Sequence, residues 1–177
     1  FERRNKRVNL DKILRRSLSV AALLMLLSGT VAAQSRPVLK ETRHGNHAYK
    51  AKKYDQAEIS YRRALQRDSN AYRAQHNLGN TLYRQKKYAE AAQHYEQALR
   101  QPDLDSRTRS RILHNQGNSL LQEGLQKESR AEGLQQFQQA VSAYQESLKL
   151  DPKNNDTRYN LSYAKKMLQQ AQQQQQQ

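Results

Sequence analysis

The side chains of this chain best suited to chemistry are amides, imidazoles and guanidiniums that recur in register. Asn46, Asn80 and Asn118 form one series, and Arg43, Asn77, Asn115 and Asn160 a second. Thr42, His76, His114 and Tyr159 form a third, Leu39, Arg73, Arg111 and Asp156 a fourth, and Tyr49 and Tyr83 a fifth. An Asn amide both donates and accepts, so a row of amides suits an extended peptide backbone. Two imidazoles with no carboxylate or thiolate beside them make a poor metal site. There is no phosphate-binding loop, dinucleotide fingerprint, Ser-centred elbow or His-Glu-x-x-His, and the chain has no Cys. The expectation is binding without catalysis, with no catalytic residues, cofactor or metal.

The elements that position these residues follow from a repeat. Gly45 and Gly79 are 34 residues apart, and Tyr54/Tyr88, Ala57/Ala91, Tyr61/Tyr95 and Ala64/Ala98 keep the same distance. A fixed period of 34 with small and aromatic residues in register resembles the tetratricopeptide repeat (TPR). Each unit of that family is a pair of antiparallel helices that cannot bury its apolar face alone, so neighbours stack. The repeats run 38–71, 72–105 and 110–154, the third opening late because Pro102-Asp-Leu-Asp-Ser lengthens the loop before it. The predicted fold is an all-α solenoid of three helix-turn-helix repeats with a C-terminal capping helix at 155–168, followed by a Gln-rich tail at 169–177. Gly45, Gly79 and Gly117, with Ala57, Ala91 and Ala140 opposite, allow paired helices to cross closely. Tyr54, Tyr61, Tyr88, Tyr95 and Tyr144 are expected to be knobs between repeats.

Counting back from Pro152 places the start of the third repeat's second helix at Phe137, 11 residues beyond the position counted forward from Gly117. Two readings stand for this insertion, roughly Gly124 to Gly133. Both helices could lengthen and keep their packing faces, since the segment is rich in Gln, Glu and Leu. Alternatively it is a loop, because two glycines weaken a helix.

The resemblance implies that the first helix of each pair lines a concave groove. That gives a candidate peptide-binding set of Arg43, Asn46, Tyr49, Arg73, His76, Asn77, Asn80, Tyr83, Arg111, His114, Asn115, Asn118, Tyr159 and Asn160. In TPR carboxylate clamps five positions seize a peptide C-terminus, and here they are Thr42, Asn46, Asn77, Arg111 and Asn115. Asn46, Asn77 and Arg111 match in kind, whereas Thr42 and Asn115 stand where the clamp has cations. Losing two cations removes much of the charge-assisted binding. A groove for an extended segment or a partner helix fits better.

Residues 1–36 stand outside the repeat. Lys12, Arg15 and Arg16 precede an uncharged stretch from Ser17 to Ser35, and Val31-Ala-Ala-Gln supplies small residues for a signal peptidase. This reads as a signal peptide, residues 1–33, that exports the chain to the periplasm; an uncleaved anchor is the competing reading. Phe1 in place of Met points to a start further downstream, for example at a non-AUG codon for Val8. The whole chain carries a formal net charge of +15. Without residues 1–33, 24 Lys/Arg stand against 14 Asp/Glu, a net charge of +10. An exported chain does not meet nucleic acid, so this charge points to acidic protein partners, anionic lipid or another envelope polyanion. Possible peripheral membrane association is the alternative to a groove-based scaffold.

Several segments together resemble a particular exported TPR protein, that of the Bat (Bacteroides aerotolerance) operons. They are the signal peptide, Gly45-Asn46 with Lys52-Lys53-Tyr54, His76-Asn-Leu-Gly-Asn, His114-Asn-Gln-Gly-Asn, the enlarged third repeat, Tyr159-Asn-Leu-x-Tyr-Ala and the Gln-rich tail. The resemblance implies a scaffold of the cell envelope, working with membrane-anchored von Willebrand A-type proteins in an aerotolerance or stress system.

Overall fold

The computed structural model describes residues 36–176. The signal peptide, its competing anchor reading and the Val8 start all concern residues outside that range. Seven helices follow in order: α1 Arg36–Lys50, α2 Tyr54–Arg67, α3 Tyr72–Arg84, α4 Tyr88–Leu99, α5 Ser106–Leu125, α6 Leu134–Leu150 and α7 Asn155–Gln175. Among the described residues no helix is long and apolar enough to cross a membrane.

Local chemistry sets the helix ends. Asp105 and Asn154, at the ends of the two Pro-containing loops, cap α5 and α7 by accepting from the backbone N–H of Thr108 and Thr157, each at 2.9 Å. The turns closing the first two hairpins are left-handed at Lys52 (φ 59) and Lys86 (φ 62). Lys53 N–H then reaches Ala48 O and Lys87 N–H reaches Leu82 O, both at 2.9 Å, satisfying carbonyls that the helix end leaves orphaned.

The helices pair as α1–α2, α3–α4 and α5–α6, with α7 packed on the last pair. Each pair is locked by an aromatic ring seated on a glycine. A Cβ added at Gly45, Gly79 or Gly117 would lie 2.5–2.7 Å from the Cε1 of Tyr61, Tyr95 or Tyr144. Those three tyrosines are buried, each seated on the glycine of its own repeat and sharing an apolar cluster with residues of the next unit. Tyr54 and Tyr88 are half-buried and lie edge-on to Tyr49 (5.5 Å between ring centroids) and tilted against Tyr83 (5.2 Å), again within one repeat.

Among the described residues the backbones of successive first helices approach closely, whereas those of successive second helices stand further apart and meet through long side chains such as Arg62 and Glu90. The stack therefore curls toward α1, α3, α5 and α7, making that side concave.

The insertion resolves into both of its readings at once. Compared with the second repeat, α5 runs three residues further past its glycine and α6 starts three residues earlier before its tyrosine, and the turn grows from 85–87 to 126–133. The glycines that argued against helix have a packing role. Phe137 sits on Gly124 as Tyr144 sits on Gly117, and a Cβ on Gly124 would lie 2.7 Å from Phe137 Cε1. Both steps are seven residues, two helical turns, so the close-contact pair is repeated along the longer hairpin.

The lengthened hairpin gives α7 more surface. Helix α7 does not end at 168 but continues through the Gln-rich segment to Gln175, correcting the expected boundary between cap and tail. Met167 and Ala171 are buried in one cluster with Leu121, Phe137 and Tyr144. Gln174 Oε1 accepts from Ala131 N–H, in the enlarged turn, at 3.2 Å. Where α3 presents Gln75, Leu78, Gly79 and Leu82 to its own second helix, the same register of α7 carries Arg158, Leu161, Ser162 and Lys165. Arg158, Ser162 and Lys165 are exposed, which suits a helix that ends the stack.

Candidate functional site

The concave wall is built from a three-residue unit used three times. Asn46 Oδ1 accepts from Tyr61 Oη at 2.7 Å and from Asn77 Nδ2 of the next repeat at 2.9 Å. Asn80 Oδ1 accepts from Tyr95 Oη at 2.7 Å and Asn115 Nδ2 at 3.0 Å. Asn118 Oδ1 accepts from Tyr144 Oη at 2.7 Å and Asn160 Nδ2 at 2.8 Å. Each unit satisfies a buried phenol and ties one repeat to the next. Burial pushes the Tyr61, Tyr95 and Tyr144 hydroxyls well above the ordinary tyrosine range, so they remain donors.

The two Asn series therefore do two jobs. The carboxamide oxygens of Asn46, Asn80 and Asn118 belong to the fold. The rest of the amide row lines the groove. A depression of about 150 Å³ is bounded by Asn46, Tyr49, Lys50, Tyr61, Asn77 and Asn80. A second, about 310 Å³, is bounded by Tyr49, Asn80, Tyr83, Arg84, Tyr95, Asn115 and Asn118. They share Tyr49 and Asn80 and so continue one into the other.

The other expected residues divide by register. Arg43 and Arg111 are exposed, as is Tyr159 at 75%. Arg73 is exposed but folds over its neighbour, with Nε donating to Tyr72 Oη at 3.1 Å and the guanidinium 5.7 Å from that ring's centroid. Thr42, His76 and His114 turn away from the groove. Thr42 is 7% exposed and its hydroxyl donates to Val38 O at 2.8 Å, so the first clamp position has neither charge nor access. His76 lies against Tyr95 with ring centroids 5.8 Å apart, and its Nε2 is 3.4 Å from Asn115 Nδ2. His114 packs on Tyr144, bonds Thr157 Oγ1 through Nδ1 at 2.7 Å, and accepts from Asn118 Nδ2 through Nε2 at 3.0 Å. Burial, helped by the Arg111 charge, lowers the His76 pKa to about 4, and burial also lowers that of His114. Both are neutral packing residues at pH 7, not groove ligands. Among the described residues no group of three or more His, Cys, Asp or Glu is gathered as a metal would need.

Sequence reasoning missed Lys50 and Arg84, one residue after Tyr49 and Tyr83 in the same register, which line the two depressions. It also missed Tyr163, 40% exposed, which occupies on α7 the register of Asn46, Asn80 and Asn118. The 34-residue count locates all three. Along the groove Arg43, Lys50, Arg73, Arg84 and Arg111 stand against Asp156 as the acidic member of the same registers.

Comparison with known proteins agrees with this architecture. Two tetratricopeptide repeat profiles match residues 42–106 and 131–154, together about half of the chain. The first TPR of Spaghetti (RPAP3), bound to an HSP90 peptide, superposes with a TM-score of 0.61 at 22% identity, covering 78% of this chain and 98% of that one. The N-terminal domain of stress-induced protein-1 from C. elegans gives 0.61 at 20% identity, covering 75% and 98%. The second TPR domain of human RPAP3, in complex with an HSP70 peptide, gives 0.60 at 23% identity, covering 73% and 95%. A comparison with curated proteins gives no match. At these identities the likeness speaks for the fold, and with the profiles, the 34-residue register and the glycine-seated tyrosines it shows that the chain belongs to the tetratricopeptide repeat family.

Proposed function

We propose that this chain is a non-enzymatic protein–protein interaction scaffold that holds an extended peptide segment or helix of a partner in its concave groove. The observation that carries the reading is the continuous wall of Asn side chains, each using part of its amide for the fold and flanked by Tyr49, Tyr83 and exposed cations. Solved TPR domains of the same fold bound to HSP90 and HSP70 peptides support it. The excess of cations over Asp156 favours a segment that carries acidic groups. Because Thr42 is buried and Asn115 is neutral, the segment is held along its length rather than by a terminal carboxylate. On the resemblance set out above, the proposal extends to an exported, periplasmic chain. Its partner is a membrane-anchored von Willebrand A-type envelope protein in an aerotolerance or stress system.

The test is crosslinking of the tagged full chain in cells, with Arg43→Glu/Arg111→Glu run beside it. These two side chains make no hydrogen bond or ion pair among the described residues, so the fold should survive. Loss of specific envelope proteins from the variant supports the groove; an unchanged set of partners refutes it. Steeply salt-dependent binding to anionic vesicles that ignores the variant would instead favour a peripheral protein acting through its basic surface.

A further inference from the structure

The convex face carries a second candidate site, independent of the concave groove. Between α2 and α4 the seam is bridged by charge. Glu58 pairs with Lys87 at 3.0 Å, and Arg62 pairs with Glu58 at 2.8 Å and Glu90 at 3.1 Å. The same register recurs between α4 and α6, but the residues change. Ala92 and Glu96 replace Glu58 and Arg62, and Gln136 and Gln139 replace Lys87 and Glu90. No ion pair bridges α4 and α6 among the described residues, and a cleft of about 380 Å³ lies there over α5.

Its base is apolar or small, with Leu113, Leu120, Ala89, Ala92 and Ala143, and its walls add the polar Gln93, Gln116, Gln139 and Ser142. Its rim takes one carboxylate from each helix, Glu96, Glu123 and Glu146. Leu113 and Leu120 are two turns apart, about 10 Å along α5, and the alanines admit close approach. Among the described residues Glu96 meets only Arg100 of its own helix, at 3.2 Å with both side chains more than half exposed, and Glu123 accepts from Gln136 Nε2 at 3.1 Å. In a chain of net charge +15, this acidic rim is a local reversal of sign. At one mouth, near Glu123, stand Lys86, Lys87 and Lys127.

We infer that this cleft docks a basic amphipathic helix of a partner protein. The partner's apolar stripe would lie on Leu113 and Leu120 and its Lys or Arg residues would face Glu96, Glu123 and Glu146. The lysine mouth favours the negative end of that helix, its C-terminus.

The probe is a capped Leu/Lys amphipathic peptide of about 15 residues, with a Leu/Glu peptide of the same pattern as control. Binding to the full chain is followed by fluorescence anisotropy. The Lys peptide should bind and the Glu peptide should not. Glu96→Lys/Glu146→Lys should weaken binding by about tenfold or more, and the concave variant Arg43→Glu/Arg111→Glu should leave it unchanged. A second variant, Ala92→Glu/Glu96→Arg/Gln136→Lys/Gln139→Glu, copies the first seam and should close the cleft, with circular dichroism confirming helix content. The inference is overturned by equal binding to Glu96→Lys/Glu146→Lys, or by loss of binding in the concave variant. It is also overturned if sedimentation shows self-association that Glu96→Lys/Glu146→Lys abolishes, since the cleft would then belong to a second copy of the chain.

Discussion

Asn80→Ala tests whether the amide row is first of all part of the fold. The substitution removes an oxygen that accepts from Tyr95 Oη at 2.7 Å and Asn115 Nδ2 at 3.0 Å. Tyr95 is 1% exposed, so its hydroxyl loses its partner inside the protein, at a cost of about 1–3 kcal/mol. Asn115 is only half-buried and keeps water and His76 within reach, so it adds well under about 1 kcal/mol. The expected destabilisation is about 2–3 kcal/mol in urea unfolding followed by far-UV circular dichroism. At this chain length that is a fall in Tm on the order of 5–10 °C. Tyr95→Phe removes the donor but leaves Asn80 bonded to Asn115, and should cost about 1 kcal/mol. The two effects should not add, because once Asn80 is alanine the Tyr95 hydroxyl is a liability and its removal becomes neutral or favourable. Asn80→Asp keeps the acceptor and should lie close to wild type near neutral pH. The reasoning fails if Asn80→Ala is within about 0.5 kcal/mol of wild type, or if Tyr95→Phe costs the same in both backgrounds.

Gly79→Ala places a Cβ 2.7 Å from Tyr95 Cε1, a ring already held by Asn80, so a loss of about 1–3 kcal/mol is expected from denaturant unfolding. Lys86→Gly should raise stability by about 0.5–1 kcal/mol, since Lys86 holds φ at 62, whereas Lys53→Gly, at φ −86, should lower it in the same assay. Removing residues 169–177 uncovers the contacts of buried Ala171 and the Gln174–Ala131 bond, and should cost about 1–2 kcal/mol. Amide exchange in the turn 126–133 should quicken in parallel, and an unchanged Tm would show the tail to be idle. His76 takes up its proton only near pH 4 in the folded chain against 6.5 unfolded, so the unfolded state binds more protons between those values. Stability should then be flat above about pH 6.5 and decline as the pH falls toward 4, less steeply in His76→Gln, as measured by urea midpoints across pH.

Much of the fold is legible because the 34-residue period reports a local geometric demand. Gly45, Gly79 and Gly117 mark where an aromatic ring must lie against bare backbone, and Tyr61, Tyr95 and Tyr144 sit at the register that supplies it. The groove was only partly legible for the same reason. Register says which side of a helix a residue occupies, not which atoms the fold uses. Asn46, Asn80 and Asn118 look like ligand-binding amides in sequence, yet each lends its oxygen to a tyrosine on the next helix. The Tyr at 15 residues, or 26 across the insertion, was the available signal. His76 and His114 mislead similarly, because their register is where neighbouring first helices touch, and burial there keeps them neutral.

The insertion and the Gln-rich segment were the least legible parts, and they explain each other. Read alone, Gly124 and Gly133 argue for a loop, and Gln169 to Gln177 has too little apolar surface to fold. Neither judgement allows for the partner. Gly124 is helical because Phe137 needs the room, and the hairpin that this contact extends presents Leu125 and Leu134 beyond the end of an ordinary repeat, against the cluster of Leu121, Phe137 and Ala140. Glutamine is a fair helix former, and one alanine in the right place is enough to seat the helix on such a surface. Ala171 is that residue, fully buried, and Gln174 reaches back to the enlarged turn. The pairing spans more than 40 residues, so no local pattern announces it. The longer third repeat and the longer last helix are thus one device, a capping layer built from two segments. Its polar outer face, with exposed Arg158, Ser162 and Lys165, ends the stack where another second helix would otherwise have to pack.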